Sequence, residues 1–270
     1  MTDTAAVHAT GDRLQRAPLE LLGRFADASN ATLLVRLIDR DPRSIEEVAD
    51  HLGRDLQVED LDPDDLAVYK PQRGERPLWD FPTGTLHRRE VAAGILDDAL
   101  GWDLVPTTVL RDDAPHGVGS LQRFVAHDPE EHYFALLEDG RPELRAQLVA
   151  MVVFDLMIDN ADRKGGHVLV ERSHDGDVGH LRLVDHGVAF NVERKLRTVG
   201  WDFAGQPIPG TLRGDIDRVR EALAGDLGAR LATLLEDDEV ARLAERVEEV
   251  LAMEHLPPPS GPYPYPWPLL

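Results

Sequence analysis

Two aspartates in short polar turns carry the chemistry that this sequence can be expected to perform. Asp162 lies in the turn NADRKGGH and Asp185 in the turn LVDHGVAF, and a β-type apolar run adjoins each turn. Phosphoryl transfer to a hydroxyl needs one carboxylate that orients or deprotonates the acceptor, and another that holds the Mg²⁺ bridging the nucleotide phosphates. The pair therefore predicts a catalytic loop followed by a metal-binding turn.

The surroundings of each aspartate favour this interpretation over a simple turn. Asp162 and Arg163 follow a long helical pattern, and two glycines behind them permit a tight loop. Asp185 is flanked by apolar residues, where a buried carboxylate without a partner is unfavourable. We therefore expect a metal ion or a basic group beside Asp185.

Such a phosphotransferase also needs a lysine for the nucleotide phosphates, a glutamate to hold it, a polar turn over the phosphates and a segment for the adenine. The sequence offers a candidate for each in the expected order: Ser29 and Asn30 in a hairpin turn, Lys70 at the end of the strand LAVYK, Glu90 in the next helix, and Leu121–Val125. Each candidate is weak alone, since strand-terminal lysines are commonly solvated and the hairpin turn lacks glycine. Their order supports the hypothesis.

The elements that must position these residues are strands first and helices later. The patterns predict a hairpin from Leu19–Phe25 and Thr32–Ile38, strands at Leu66–Lys70, Val105–Leu110 and Gly119–Val125, and helices at Leu86–Leu100, Pro142–Ile158, Asp215–Leu235 and Asp238–Met253. In the second helix, Asp155 shares one face with Leu144, Leu148 and Met151. Strands followed by helices indicate an α+β fold or two lobes.

The predicted division of the chain has four parts. An N-terminal extension (1–18) precedes a strand-rich N-lobe (19–125), which carries an acidic insertion at 39–65. A helical C-lobe (126–256) contains the catalytic and metal-binding loops. The proline-rich tail (257–270) cannot form regular structure, so it either packs as an extended strap through Tyr263, Tyr265 and Trp267 or is disordered.

Composition limits the classes of partner. A net charge of −21 opposes binding to nucleic acid or to an anionic membrane surface. The chain has no cysteine, no secretory signal pattern at its N-terminus and no apolar run long enough to span a bilayer. These features predict a cytoplasmic protein without a stable membrane anchor.

Taken together, the motifs resemble an actinobacterial family related to the phosphatidylinositol 3- and 4-kinases. NADR resembles the catalytic-loop Asn-x-Asp-Arg of type II phosphatidylinositol 4-kinases, and VDHGVAF resembles their metal turn. The segments VYKPQRGERPLWDFPTGTLHRREVAAG and VGSLQRFV resemble the lysine, glutamate and hinge regions of the actinobacterial group. The resemblance covers roughly residues 19–190 and implies a bilobal protein-kinase-like fold, with a strand-rich N-lobe and a helical C-lobe.

The resemblance also implies roles for individual residues. Asp162 would be the catalytic base or acceptor-orienting residue, Asp185 the principal metal ligand, and Arg163 would steady the loop or the transferring phosphate. Nucleotide binding would involve Lys70 at the α- and β-phosphates with Glu90 as its ion-pair partner, Ser29 and Asn30 at the phosphates, and the backbone around Gln122–Phe124 at the adenine.

One position departs from the kinase pattern. Five residues after the catalytic aspartate, kinases place an asparagine for a second metal ion, and this sequence has His167. Because Mg²⁺ prefers hard oxygen ligands, three alternatives stay open. His167 binds a softer ion such as Mn²⁺, a single metal is used, or the imidazole hydrogen-bonds Asp162.

The sequence thus predicts an ATP-dependent kinase that uses Mg²⁺ or Mn²⁺. The acceptor hydroxyl would belong to an inositol or phosphoinositide, another small molecule, or a protein. Two alternatives remain, a nucleotide-binding pseudokinase or scaffold and an AMP-transferase, and the oligomeric state stays open.

Overall fold

The computed structural model describes residues 4–25, 30–38, 61–171 and 179–270. The chain forms two compact units. The first comprises Met1–Pro77 and Thr107–Phe124, and the second comprises Leu78–Pro106 and Val125–Leu270. Ser29 and most of the predicted acidic insertion lie outside the described residues.

An antiparallel sheet forms the centre of the first unit. Its five described strands are β1 (Leu19–Arg24), β2 (Leu33–Leu37), β3 (Leu66–Pro71), β4 (Thr108–Arg111) and β5 (Gly119–Arg123), in the order β1-β2-β3-β5-β4. The β1–β2 hairpin and the strand that carries Lys70 confirm the sequence predictions. The register places Lys70 opposite Ser120 and Val68 opposite Gln122, so these four residues share one face.

The opposite face of the sheet packs against helix α1 (Thr4–Arg16), which the sequence did not predict. Leu14 of α1 is fully buried in one apolar cluster with strand residues such as Val35 and Leu121. Arg111 of β4 donates to the carbonyl oxygen of Leu14 at 2.6 Å and so fixes the end of the helix. The N-terminal segment is therefore part of the first unit.

The second unit is mostly helical. Its described helices are α2 (Leu86–Leu100), α3 (Tyr133–Glu138), α4 (Arg145–Ile158), α5 (Gly210–Leu223), α6 (Asp226–Leu231) and α7 (Asp237–Ala252), and its described strands β6 (Val168–Glu171) and β7 (His180–Leu183) form a hairpin. The long helix predicted at Asp215–Leu235 is divided between α5 and α6, since the chain leaves helical geometry at Gly225.

Helix α2 belongs to the second unit, whereas the sequence assigned it to the N-lobe. It packs against α5 and α6. Its buried Arg89 pairs with Glu239 of α7 and donates to the carbonyl oxygen of Ala189 at 2.6 Å. A buried guanidinium needs such partners, so these contacts tie α2 to the helical part of the chain.

Helix α4 leads into the loop that bears Asp162. From Leu148 to Ile158 every residue of this helix is buried, as expected for a helix that is apolar on nearly all sides. It ends where Asp159 adopts a left-handed conformation with φ 51°, and the Asp159 N–H donates to the carbonyl oxygen of Asp155. This cap turns the chain abruptly out of the helix and into the loop.

The proline-rich tail lies extended along the second unit. The carbonyl oxygen of Pro264 accepts from Trp201 Nε1 at 2.7 Å, and that of Leu269 accepts from the N–H of Gly165 at 2.7 Å. The rings of Tyr263, Tyr265 and Trp267, expected to anchor the strap, are instead exposed. The backbone carbonyls therefore hold the tail.

None of the helices in the described part of the chain has both the length and the apolar composition needed to cross a bilayer.

Candidate active site

The two turns that bear Asp162 and Asp185 are hydrogen-bonded to each other. The N–H of Ala161 donates to the carbonyl oxygen of Val188 at 2.9 Å. The N–H of Val184 donates to the carbonyl oxygen of His167 at 3.1 Å. The second bond is formed where the β6–β7 hairpin meets the turns. Backbone bonds on both flanks therefore hold the two turns side by side.

Both carboxylates are partly exposed, and each has a basic neighbour. The Asp162 side chain is 31% exposed, and its Oδ2 lies 3.2 Å from Nζ of Lys164. The Asp185 side chain is 48% exposed, and its Oδ2 lies 3.4 Å from Nε2 of His167. The acids can thus reach a ligand. Asp185 is not buried, contrary to the expectation from its apolar flanks, and the basic group beside it is an imidazole.

The electrostatic setting of Asp162 favours its use as a base. Burial raises the pKa of Asp162, the ammonium group of Lys164 lowers it, and the carboxylate of Asp185 raises it again, with the net shift upward. A raised pKa makes a carboxylate a better proton acceptor.

Asp185 has a left-handed backbone with φ 61°. This conformation is unfavourable for a residue other than glycine and persists only where its surroundings enforce it. Hydrogen bonds hold the chain on both sides of Asp185: the N–H of Val184 donates to the carbonyl oxygen of His167 at 3.1 Å, and the N–H of His186 donates to Oε2 of Glu90 at 3.0 Å. The buried Glu90 on α2 therefore helps to hold the turn that bears Asp185.

Arg163 is buried beneath the two acids. Its Nη1 donates to the carbonyl oxygen of Val184 at 2.8 Å, and its Nη2 donates to Nε2 of His186 at 2.8 Å. The side chain is not exposed at all. Of the two roles that the sequence left open, these contacts match the one in which Arg163 steadies the loop.

The nucleotide-binding candidates of the first unit lie on the sheet and its turns. Lys70 is half-buried on β3, and the buried Gln122 on β5 donates from Nε2 to Oγ1 of Thr108 at 2.8 Å. The N–H of Phe124 donates to the carbonyl oxygen of Leu66. Oδ1 of Asn30 accepts from the N–H of Arg76 at 2.9 Å. The ion pair of Lys70 with Glu90 stays a prediction.

The donor set fits a metal ion that arrives with a nucleotide. Among the described residues, no group of three histidine, aspartate or glutamate side chains is placed to hold a metal ion by itself. Mg²⁺ at phosphate-transfer sites is bound by one or two carboxylates, and water and the substrate phosphates supply the remaining oxygens. The partly exposed carboxylate of Asp185 offers such an oxygen, and Asp162 is its neighbour.

Sequence reasoning missed two residues of this site. Lys164 follows Asp162 by two positions. The sequence could have pointed to it, because a lysine within the predicted catalytic loop is placed to meet phosphate. Asp155 accepts hydrogen bonds from the loop and is completely buried. Its signal was a carboxylate on the apolar face of a helix, since such a group needs buried donors.

The fold is shared with solved kinases. The chain aligns over 93% of its length with the Golgi casein kinase solved with Mn/ADP bound, at a TM-score of 0.56 and 13% identity, and covers 76% of that structure. It aligns over 93% of its length with hydra Fam20 with sugar, at a TM-score of 0.52 and 15% identity, and covers 89% of it. The chain therefore has an α+β, kinase-like fold.

One curated protein identifies the family. The chain is 37% identical to Protein Rv2133c of Mycobacterium tuberculosis, over 98% of this chain and 95% of that protein, and it belongs to the same family. A shorter match, 35% identical, links 37% of the chain with 22% of phosphatidylinositol 4-kinase gamma 8 of Arabidopsis thaliana. No protein-family model matches the chain.

Proposed function

We propose that this protein is an ATP-dependent phosphotransferase that moves the γ-phosphate of ATP to a hydroxyl group. The observation that carries the proposal is the pair of partly exposed carboxylates, Asp162 and Asp185, on two turns bonded to each other. Lys164 and His167 lie against these acids at 3.2 and 3.4 Å. The kinase-like fold gives independent support.

In the proposed reaction, the acceptor oxygen attacks the γ-phosphorus and the bond from that phosphorus to the β–γ bridging oxygen breaks. Asp162 orients the acceptor hydroxyl and receives its proton, so that ADP leaves with the electron pair of the broken bond. The ammonium group of Lys164, which lies beside Asp162, stabilises negative charge on the transferring phosphoryl oxygens.

Asp185 would hold the divalent cation, with His167 as its neighbour. A bound Mg²⁺ or Mn²⁺ neutralises charge on the nucleotide phosphates. For His167 to bind that cation, its Nε2 must be free of a proton, and Mn²⁺ suits an imidazole better than Mg²⁺ does. The nucleotide-binding roles that the resemblance implies are part of the proposal. Lys70 would bind the α- and β-phosphates with Glu90 as its partner. The phosphates would also meet Ser29 and Asn30, and the adenine would meet the backbone around Gln122–Phe124.

The acceptor class is open between small molecules and proteins. The partial match to a protein named as a phosphatidylinositol kinase favours an inositol-type hydroxyl. The net charge of −21 opposes approach to an anionic bilayer. A water-soluble inositol or sugar derivative satisfies both observations, and we propose that class first.

Labelled ATP tests the proposal. Purified protein is incubated with γ- or α-labelled ATP, Mg²⁺ or Mn²⁺, and fractionated small-molecule or protein extract. The variants are Asp162→Asn and a matched surface control, Asp217→Asn on α5, whose side chain is 53% exposed. Transfer of γ-label that is lost in Asp162→Asn and kept in Asp217→Asn is the expected result.

Each other outcome contradicts the proposal in a recognisable way. Transfer of α-label instead of γ-label would indicate an AMP-transferase. ATP binding without turnover on any fraction would indicate a pseudokinase or scaffold. Failure to bind ATP with either metal would remove the nucleotide-dependent functions altogether.

A further inference from the structure

A completely buried aspartate, seven residues before Asp162, accepts hydrogen bonds from three side chains. Asp155 on α4 accepts from Nε of Arg163 at 3.1 and 3.2 Å, from Nδ2 of Asn160 at 3.2 Å and from Oγ1 of Thr198 at 3.0 Å. A buried carboxylate is tolerated only with such donors. None of the sequence motifs assigned a role to this residue.

One branch of the network leads from Asp155 to the backbone of Asp162. Nδ2 of Asn160 donates to Asp155, and Oδ1 of the same amide accepts from the N–H of Asp162 at 2.9 Å. A carboxylate only accepts and an N–H only donates, so chemistry fixes the orientation of the Asn160 amide. Asp155 thereby sets the place of the Asp162 amide through one intervening side chain.

The other branch leads to the metal turn. Arg163 donates to the carbonyl oxygen of Val184 and to Nε2 of His186, the two residues that flank Asp185. A guanidinium carries no acceptor, so Nε2 must accept and the His186 ring proton lies on Nδ1. The N–H of His186 then donates to Glu90, at the far end of the chain of contacts.

We propose that Asp155 is the positioning residue for both catalytic carboxylates, an inference that rests on the proposed phosphotransferase function. Asp155 touches neither ATP nor acceptor in this proposal. It holds Asn160 and Arg163 on either side of Asp162, and through Arg163 it holds the turn of Asp185. Catalysis by positioned groups is sensitive to displacements of about 1 Å, so loosening the network lowers turnover more than it lowers nucleotide binding.

Two variants and one control test this role. Asp155→Asn removes the charge that Arg163 needs. Thr198→Val removes one donor to Asp155, together with the acceptor of the Gly200 N–H, while keeping the side-chain shape, and so remains informative where Asp155→Asn does not fold. The control is Asp97→Asn on α2, where the acidic side chain is also buried but lies outside the network. All proteins are compared at a temperature where circular dichroism shows them fully folded.

We expect kcat per folded molecule to fall at least tenfold in Asp155→Asn and at least threefold in Thr198→Val, with the KM for ATP changed less than twofold. Hydrogen–deuterium exchange should rise severalfold in peptides that cover 159–168 and 184–188. In Asp97→Asn, neither kcat nor exchange in these peptides should change.

The exchange measurement separates failure of this inference from failure of the proposed function. If the wild-type protein shows no Asp162-dependent turnover, the proposed function fails, and exchange still shows whether Asp155 orders both turns. Unchanged exchange in Thr198→Val and in any folded Asp155→Asn would overturn the inference. If the enzyme is active and both variants keep the wild-type kcat, the positioning role of Asp155 is also overturned. A purely structural residue changes the amount of folded protein and not the rate per folded molecule.

Discussion

Arg163 and Asp155 form an ion pair that is completely withdrawn from solvent, with Nε of the arginine 3.1 and 3.2 Å from the two carboxylate oxygens. The pair joins α4 to the loop that α4 leads into. Burial strengthens the attraction between the charges and also makes either charge unfavourable without the other. The loop bearing Asp162 is therefore held by an interaction that fails when one member is removed.

Removal of Arg163 should strongly destabilise the protein. Arg163→Gln leaves the Asp155 carboxylate buried without its counter-ion, and we expect a loss of about 3–5 kcal/mol in the free energy of unfolding. Urea titration followed by circular dichroism measures this loss. Arg218→Gln serves as the control, because Arg218 is 62% exposed and its pair with Asp215 is worth less than about 1 kcal/mol. Equal losses in both variants would contradict the assignment.

A second buried carboxylate makes stability depend on pH. Asp97 accepts from the N–H of Val105 at 2.9 Å, and burial raises its pKa from 3.8 to about 7. The folded state therefore keeps a proton that the unfolded state releases above pH 4. This contribution to stability is full below pH 4 and is lost as pH rises toward 7, at up to about 1.4 kcal/mol per pH unit.

Asp97→Asn should abolish that dependence, because an amide can accept from Val105 without ionising. We expect the variant to be more stable than the wild type by roughly 2–4 kcal/mol at pH 8 and closer to it at pH 4.5. Urea titrations at several pH values give the comparison. Parallel stability curves for the two proteins would show that Asp97 does not hold its proton on folding.

The elements that follow from local pattern were predicted well. The hairpin of β1 and β2, the strand of Lys70 and the helix of Glu90 each have their own periodicity in the sequence, and the structure confirms them. Helix α1 was missed because only two of its residues, Val7 and Leu14, are large apolar ones, too few to show a helical period. Arg13 pairs with Asp65 and Arg111 holds its end, and these partners lie some 50 and 97 residues away. Such distant contacts leave no local pattern.

The site divides in the same way. The roles of Asp162 and Asp185 stay predictions, but the polar turns that bear them could be predicted from their motifs. The network beneath them could not, since Asp155, Arg163, Thr198 and His186 come from separate segments that only the folded chain brings together. One feature of the sequence indicates such a network: Asp155 is a charged residue on an apolar helix face. The pattern does not show that Arg163 is its partner.

The two adjacent glycines that follow Asp162 in its loop, Gly165 and Gly166, should differ in their tolerance of a side chain. A Cβ at Gly165 would lie 2.8 Å from Cε2 of Phe134 and 3.3 Å from Cδ1 of Leu270, whereas at Gly166 it would meet only Leu270 at 3.9 Å. We expect Gly165→Ala to cost about 1–3 kcal/mol through overpacking and Gly166→Ala to be nearly neutral. Thermal denaturation distinguishes them, and equal melting temperatures would contradict the packing of Phe134 and Leu270 against Gly165.

Lys164 should affect both the rate and its pH dependence. Its ammonium group lies 3.2 Å from Asp162 and lowers the pKa of that carboxylate against the upward effect of burial. Lys164→Met therefore raises the pKa of Asp162, so the acidic limb of the pH profile of kcat should move to higher pH. Loss of charge stabilisation on the phosphoryl group should lower kcat by about 10- to 100-fold.

The matched control for Lys164 is Lys195→Met, since Lys195 pairs with Asp80 at 2.9 Å and lies outside the proposed machinery. This variant should keep the wild-type pH profile. If Lys164→Met lowers kcat without moving the acidic limb, Lys164 acts on the phosphate alone and Asp162 is not the titrating base. If neither kcat nor the acidic limb changes, the contact between Lys164 and Asp162 has no part in phosphoryl transfer. Removing a charge that stabilises the transition state would have to lower kcat.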